Sequence, residues 1–217
     1  MTAVKRRGPG NRAGLTRDGI LRAALSIVDR DGADALSMRR LGQELGVEAQ
    51  SLYNHVTSKQ ALIDGVLELL LDQVTPYTDD GPWLDQLRLS LIDYRRVMKS
   101  HPRAFALTQQ ISLEDTGVWR SADHLLDRMA QGGLPLRARL RWWRALDAYV
   151  NGYLALELTQ HAPLGPSDAL AVRRPNASAL IHADPDDMEE DFLIGLDHLL
   201  SAVKAAAAAD PSGGGVE

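Results

Sequence analysis

The sequence predicts an all-α protein in which an N-terminal three-helix domain precedes a larger, antiparallel helical domain. Apolar residues recur at helical spacing in every long segment, and no segment alternates apolar and polar residues as a strand does. Glycine and proline separate these segments. Two of the segments, between residues 36 and 59, are short and closely spaced, which is typical of a helix-turn-helix.

The first helix of this motif is predicted from Met38, Leu41 and Leu45, which lie at i, i+3 and i+7 and therefore share one face. Ser37 precedes them as an N-cap, because its hydroxyl can accept a hydrogen bond from an amide of the first turn. Gly46 follows them, and glycine most readily adopts the left-handed conformation that closes a helix.

The second helix follows this glycine, with Ala49, Leu52 and Val56 at the same spacing and facing inwards. In a helix-turn-helix, the second helix lies in the major groove and its outward side chains contact base edges and phosphates. The outward side chains here can all form hydrogen bonds: Gln50, Ser51, Tyr53, Asn54 and His55. A solvated helical hairpin inside an ordinary all-α protein would show the same pattern without binding DNA.

Lys59 gives a second indication of DNA binding. It lies in the first turn of the next helix, just after the predicted cap Ser58, where the helix dipole disfavours a cation. A phosphate held between the lysine and the helix amides would remove this conflict.

Residues 15 to 75 resemble the DNA-binding domain of the TetR family of bacterial repressors. The runs L-S-M-R-R-L, L-G-V, S-L-Y-N-H-V and K-Q-A-L occur together at the spacing of that family. The resemblance implies operator binding through a helix-turn-helix. The predicted DNA contacts are Ser37, Met38, Arg39, Gln50, Ser51, Tyr53, Asn54, His55 and Lys59.

Charge is distributed unevenly along the chain. The net charge of all 217 residues is −5, but residues 1–60 hold ten Lys and Arg against six Asp and Glu, a net +4. The rest holds 14 against 23, a net −9, so a basic module is joined to an acidic body. No cysteine, no secretory signal and no run of 18 apolar residues is present, which predicts a cytoplasmic protein that does not span a membrane.

The domains are predicted in chain order. Residues 1–14 form a flexible basic arm that reaches DNA or only aids solubility. Residues 15–75 form the DNA-binding domain; Thr16 caps its first helix, and a longer helix from Ser58 to Val74 connects it to the next domain. Residues 76–205 form the effector-binding and dimerisation domain, and residues 206–217 a disordered tail.

Within the second domain, apolar stripes predict helices from Trp83 to Ser100 and from Arg103 to Gln110. A third helix, with a possible capping box at Ser112 and Asp115, ends at Gly132 and Gly133, and the longest runs from Leu136 to His161. The last helix, capped by Asp184, includes residues 188–203. Pairing of helices 136–161 and 188–203 with their copies predicts a homodimer that binds a palindromic double-stranded operator.

Catalytic and metal-binding signatures are missing from the sequence. It contains no glycine-rich phosphate loop, HExxH or G-x-S-x-G, and no two histidines lie at i+3 or i+4. The sequence therefore predicts no enzyme, no cofactor and no metal.

The second domain is instead expected to hold a mostly apolar effector site with a few polar anchors. For each candidate, ordinary core packing is the competing explanation. Asn151 and Gly152, in the middle of the longest helix, are the least typical of a core. The predicted effector residues are Tyr94, Met98, Phe105, Gln109, Trp119, His124, Leu126, Trp143, Tyr149, Asn151 and Tyr153.

The C-terminal half resembles that of the Tet repressors more weakly, through P-W, D-Y-R, S-H-P and N-G-Y-L-A-L-E in similar order. In those repressors, a histidine on a short helix helps to hold metal-bound tetracycline. Thr108 is at the matching position here, with Ile111 nearby, so the metal ligand is not carried over. The prediction is a repressor released by a small apolar or aromatic effector; an activator or an effector-independent regulator of the same fold is the alternative.

Overall fold

The computed structural model describes residues 15–74, 81–110, 118–159 and 185–209, and these ranges contain helices and no strand. The all-α prediction is therefore confirmed. The predictions for the basic arm, the capping box at residues 112–115 and the Asp184 cap lie outside the described residues, as do residues 210–217 of the predicted tail. Residues 206–209 of that tail were expected to be disordered but continue the last helix. The α-helices are α1 (Arg17–Asp31), α2 (Met38–Leu45), α3 (Ala49–Leu52), α4 (Lys59–Leu71), α5 (Trp83–Ser100), α6 (Val118–Gln131), α7 (Leu136–Thr159) and α8 (Pro185–Ala209).

The chain forms two compact units. The first contains the residues up to Leu69 and the segment that begins at Arg103; the second contains Leu70–Pro102 and helices α6 to α8. The predicted boundary near residue 75 differs from this division mainly at residues 103–110, which were expected in the second domain. Ala104 and Leu107 are buried there, in the first unit.

Helix α1 contributes a large buried face to the first unit. Thr16 caps it by accepting a hydrogen bond from the Gly19 amide at 3.1 Å, and Gly32 ends it with a φ of 89°, as predicted. Its buried face packs close to α4, because a Cβ on Gly65 would lie 2.7 Å from the Leu21 side chain. The residues of α1 that form this face are Ile20, Leu21, Ala24, Leu25, Ile27 and Val28.

A 3₁₀-helix, Phe105–Gln110, joins the first unit through its flanking arginine. The Arg103 guanidinium donates to the Asp29 carbonyl at 2.8 Å and to the Arg30 carbonyl. These carbonyls are in the last turn of α1, where the helix leaves acceptors unpaired and the dipole favours a cation. This contact links residues far apart in sequence, so helical periodicity could not reveal it.

The second unit consists of α5 to α8 around an apolar core that includes Leu91, Leu154 and Phe192. An ion cluster around a buried arginine joins three of these helices. Arg95, which is only 3% exposed, contacts Glu157 at 2.8 Å and Glu189 at 2.7 Å, and its guanidinium lies 4.3 Å from the centre of the Phe192 ring. Burial of these charges without their partners would be costly, so the cluster favours a single register of α5, α7 and α8.

Helix α8 meets the length and composition of a membrane span over Met188–Ala209, with a mean hydropathy of 1.4 and 22% of the window buried. The sequence prediction missed this because it counted uninterrupted apolar residues, whereas a mean hydropathy tolerates charges such as Asp197 and Lys204. The buried residues Phe192, Leu196 and Leu200 form one stripe against the rest of the unit. A one-sided stripe is typical of a helix that packs one face against a bundle.

Candidate nucleic-acid interface and effector site

Close backbone packing positions the helix-turn-helix. Gly46 ends α2 with a φ of 66°, in the left-handed region that was predicted. The Val47 amide donates to the Gly42 carbonyl at 2.9 Å. A Cβ on Gly42 would lie 2.8 Å from the Val47 carbonyl oxygen and 3.1 Å from the Ala49 amide nitrogen, so a side chain there would push α2 and α3 apart.

Sequence reasoning missed the role of Gly42, although an isolated glycine within a helical pattern often indicates a close backbone approach or another packing requirement.

Helix α3 and the turns that follow it carry the predicted base-reading residues. It extends only from Ala49 to Leu52, and hydrogen-bonded turns continue to Val56. Leu52 and Val56 are buried, which confirms the inward face of the predicted pattern. The outward residues are Gln50, Tyr53, Asn54 and His55, all exposed, and Ser51, which is half-buried.

Two cations beside this surface differ from their neighbours. In the first unit, Arg17, Arg22, Arg30 and Arg40 form ion pairs with Glu68, Asp18, Glu44 and Asp31. Arg39 and Lys59 are exposed and form no ion pair within the described part of the chain. Their charges are therefore available to an external anion.

The start of α4 supports the same conclusion. Ser58 caps this helix by accepting a hydrogen bond from the Ala61 amide at 3.0 Å, and Lys59 is its first residue. The lysine thus lies at the positive end of a helix dipole, with no carboxylate of the described residues to compensate it.

Two predicted DNA contacts have structural roles. The Ser37 hydroxyl accepts a hydrogen bond from the Arg40 amide at 3.3 Å and so caps α2, although the residue remains exposed. The Met38 side chain is buried in the core of the first unit with 8% exposure. We assign Met38 to packing, because a buried thioether cannot contact a base edge.

The predicted effector residues do not form one group. Phe105 and Gln109 belong to the first unit, and the side chain of Gln109 lies outside the described atoms. Met98 is buried with 1% exposure, whereas His124 is exposed on α6 and is not an internal polar anchor. The half-buried members in the second unit are Tyr94, Trp119, Leu126, Trp143, Tyr149, Asn151 and Tyr153.

Tyr149 and Tyr153 pack against α8. Their ring centres lie 5.6 and 5.3 Å from that of Phe192, and the Tyr149 hydroxyl donates to the Phe192 carbonyl at 2.8 Å. Gly195 permits this approach, since a Cβ there would lie 2.2 Å from the Tyr149 hydroxyl. These contacts favour helix packing over effector binding for both tyrosines. Packing was the competing explanation that the sequence left open.

A hydrogen-bonded chain connects α5 to α7. The Tyr94 hydroxyl donates to Asn151 Oδ1 at 2.9 Å, and Asn151 Nδ2 donates to the Asp147 carboxylate at 2.9 Å and to the Asp147 carbonyl at 3.1 Å. Burial, and then the charge of Asp147, raise the pKa of Tyr94, so its phenol remains protonated. Asn151, singled out from its sequence context, is thus part of a polar group between two helices.

Metal binding finds no support in the described residues, which contain no group of three or more His, Asp or Glu able to hold an ion. Thr108, at the position of the Tet repressor histidine, is half-buried, and its hydroxyl donates to the Phe105 carbonyl at 2.7 Å. The hydroxyl therefore has an internal role in its 3₁₀-helix.

Known proteins share the motif and most of the length of this chain. The family model for bacterial regulatory proteins of the tetR family matches residues 20–66. An HTH-type transcriptional regulator of Saccharopolyspora erythraea is 31% identical over 203 residues, 89% of this chain and 86% of that protein. The tetracycline repressor protein class D of Escherichia coli is 30% identical over 198 residues, which cover 87% of this chain and 88% of that repressor.

Solved structures share the fold. Apo ActR from Streptomyces coelicolor superposes with a TM-score of 0.74 at 24% identity, covering 92% of this chain and 99% of ActR. ActR in complex with actinorhodin gives a TM-score of 0.70 at 25% identity, covering 89% of this chain and 97% of ActR. The fold and the helix-turn-helix define a DNA-binding regulator of transcription rather than an enzyme. The chain belongs to the TetR family of bacterial regulatory proteins.

Proposed function

We propose that this regulator is a cytoplasmic homodimeric repressor that a small apolar or aromatic effector releases from a palindromic operator. The observation that carries the proposal is the surface of the helix-turn-helix, where exposed hydrogen-bonding side chains lie beside Arg39 and Lys59, two exposed cations outside any ion pair of the described residues. An exposed cation without a counter-charge on the chain can be compensated by a phosphate of bound DNA.

In this proposal, Arg39 and Lys59 bind backbone phosphates and thereby position the motif, while the outward residues of α3 and the following turn read bases. Tyr53, which is 43% exposed, is suited to an apolar and hydrogen-bonding contact in the groove. Asn54 and His55 extend this surface towards α4. Arg17, Arg22, Arg30 and Arg40 are less suited, because a phosphate would have to compete with their carboxylates.

A second copy would cover α7 and α8. Leu156 on α7 is 53% exposed, and Ile194 on α8 is 48% exposed. Large apolar side chains exposed on neighbouring helices favour an interface. A symmetric dimer formed through these helices would also present two helix-turn-helix motifs to two half-sites, as a palindromic operator requires.

Effector binding belongs to the second unit. ActR has been solved in complex with actinorhodin, and relatives of this chain are tetracycline repressors. The half-buried aromatic and polar residues Tyr94, Trp143 and Asn151 favour an apolar or aromatic ligand with a polar end. Helix α4 offers a route to the DNA, because its residues up to Leu69 belong to the first unit and its last two, Leu70 and Leu71, belong to the second.

A coupling of about 1–3 kcal/mol per site would lower operator affinity roughly five- to 150-fold.

Selection of bound fragments from a random DNA library with the purified protein tests this function. The expected product is a palindromic sequence bound by a dimer, and analytical ultracentrifugation that detects only monomer at micromolar concentration would refute the dimer. Compounds are then screened for release of the selected DNA. Asn151→Leu should change this response and leave operator affinity unchanged, because Asn151 is in the second unit.

A further inference from the structure

One face of α7 combines exposed apolar side chains with hydrogen-bond acceptors. Leu136, Leu140, Asp147 and Asn151 fall within about 60° of one another around the helix at 3.6 residues per turn. Leu136 and Leu140 are 57% and 36% exposed, and the half-buried Trp143 lies on the same face. This surface therefore has an apolar end near the start of α7 and a polar end near its middle.

The orientation of the Asn151 amide follows from its neighbours. Its two N–H groups are directed at Asp147, and the opposite orientation would place the amide oxygen against the carboxylate. The amide oxygen consequently accepts from Tyr94, whose single hydroxyl hydrogen is used in that bond. The side-chain N–H and O–H groups of Tyr94 and Asn151 are therefore all used as donors within this hydrogen-bonded group.

The hydrogen-bonding positions that remain unoccupied in this group are acceptors. The phenol oxygen of Tyr94 keeps acceptor capacity, and the Asp147 carboxylate accepts from Asn151 through Oδ1 only. No Lys or Arg forms an ion pair with Asp147 in the described part of the chain. A ligand that adds to this group must therefore donate hydrogen bonds, and a positive charge would compensate the carboxylate.

The environment of Asp147 supports the same conclusion. Asp147 is an exposed residue, yet the atoms around its carboxylate remove enough water to raise its pKa, an effect that the Asn151 hydrogen bond opposes. A nearby cation would favour the ionised form of this partly desolvated carboxylate.

We propose that the effector carries a protonated amine that Asp147 and Tyr94 bind, while its apolar ring system lies along Leu136, Leu140 and Trp143. Leu140 and Asp147 are separated by two helical turns, about 10.5 Å at a rise of 1.5 Å per residue, comparable to the length of three fused aromatic rings. The inference rests on the proposed function, since it specifies the ligand class of the same regulator.

Three matched fluorescent probes test the inference with the full-length protein in the absence of DNA: 2-(aminomethyl)anthracene, 2-(hydroxymethyl)anthracene and anthracene-2-carboxylate. The amine should bind about fivefold tighter than the alcohol, and the carboxylate most weakly, because a charge-assisted hydrogen bond is added for the amine alone. Chemical-shift changes at the methyl groups of Leu140 should locate the rings.

Asp147→Asn should abolish the preference for the amine and leave affinity for the alcohol within about twofold, since only the charge is removed. Tyr94→Phe should reduce the preference partially. Glu190→Gln, which removes an exposed charge from α8, is the matched control and should retain the preference. Equal affinities for amine and alcohol in the unaltered protein, a preference that survives Asp147→Asn, or no binding by any probe would overturn the inference.

Release of the selected operator by the amine is measured separately. If the amine binds in an Asp147-dependent way but does not release DNA, the proposed effector response is contradicted, whereas the inferred amine site is supported. Release by compounds that lack an amine, together with no preference in the probe assay, would support the repressor and refute the amine site.

Discussion

Replacement of Lys59 by alanine should reduce the salt dependence of operator binding. Lys59 is exposed, begins α4 and forms no ion pair within the described residues, so its charge is compensated by phosphate only when DNA is bound. Each phosphate contact adds about 0.9 to the slope of log affinity against log salt, and a homodimer would lose two contacts. The slope should therefore decrease by about 1.8.

Between about 50 and 200 mM salt, this change corresponds to an approximately twelvefold smaller loss of affinity. Fluorescence anisotropy of a labelled operator at several salt concentrations measures it. Arg22→Ala is the matched control, because Arg22 is an exposed cation of the same unit that pairs with Asp18. An unchanged slope for Lys59→Ala, or an equal decrease for Arg22→Ala, would refute the argument that the absence of an ion pair identifies the phosphate-binding cations.

Three further predictions concern the motif and the second unit. Tyr53→Ala should weaken operator binding in a gel shift and leave the far-UV circular dichroism unchanged, since the side chain is exposed; full affinity would exclude it from the interface. Gly42→Ala should lower the free energy of unfolding by about 1–2 kcal/mol in urea denaturation, because overpacking against Val47 exceeds the gain in helix propensity. The neighbouring substitution Gln43→Ala should change it by less than about 0.5 kcal/mol. Burial raises the pKa of Glu157, but the hydrogen bonds that its carboxylate accepts from Arg95 and Lys99 outweigh this effect, so the native pKa is lowered. The carboxylate therefore stabilises the fold above about pH 4.3, and this stabilisation is lost as pH falls through the lower native pKa. Glu157→Gln should remove this acid-dependent loss; if the urea midpoint decreased with falling pH to the same extent in both proteins, the prediction would be contradicted.

Local signals in the sequence were sufficient for much of the first unit. Thr16 and Ser37 cap their helices as predicted, and Gly32 and Gly46 end them with positive φ. The same holds for the buried face of the motif, where Leu52 was expected inside. These features depend on residues within one or two turns of each other, so their spacing along the chain contains the necessary information.

The candidate sites required more than spacing. Helical periodicity placed Met38 on the apolar face, but the family resemblance still counted it among the DNA contacts, and its burial assigns it to packing. Periodicity gave no indication that Arg39, exposed one residue later, forms no ion pair in the described ranges. In the second unit, aromatic residues on one helix gave no indication that Tyr149 packs on Phe192 whereas Tyr94 joins a polar chain with Asn151. Each distinction depends on the residue that faces it from another helix.

The sequence by itself therefore determined the helices, their caps and the helix-turn-helix, because a helix is specified by contacts three and four residues apart. Tertiary structure decided which cations are neutralised within the chain, which segment joins the first unit and which acceptors remain on α7. Arg103 and the end of α1 illustrate the reason: their hydrogen bonds join residues more than 70 positions apart, and only the folded chain brings such groups within bonding distance.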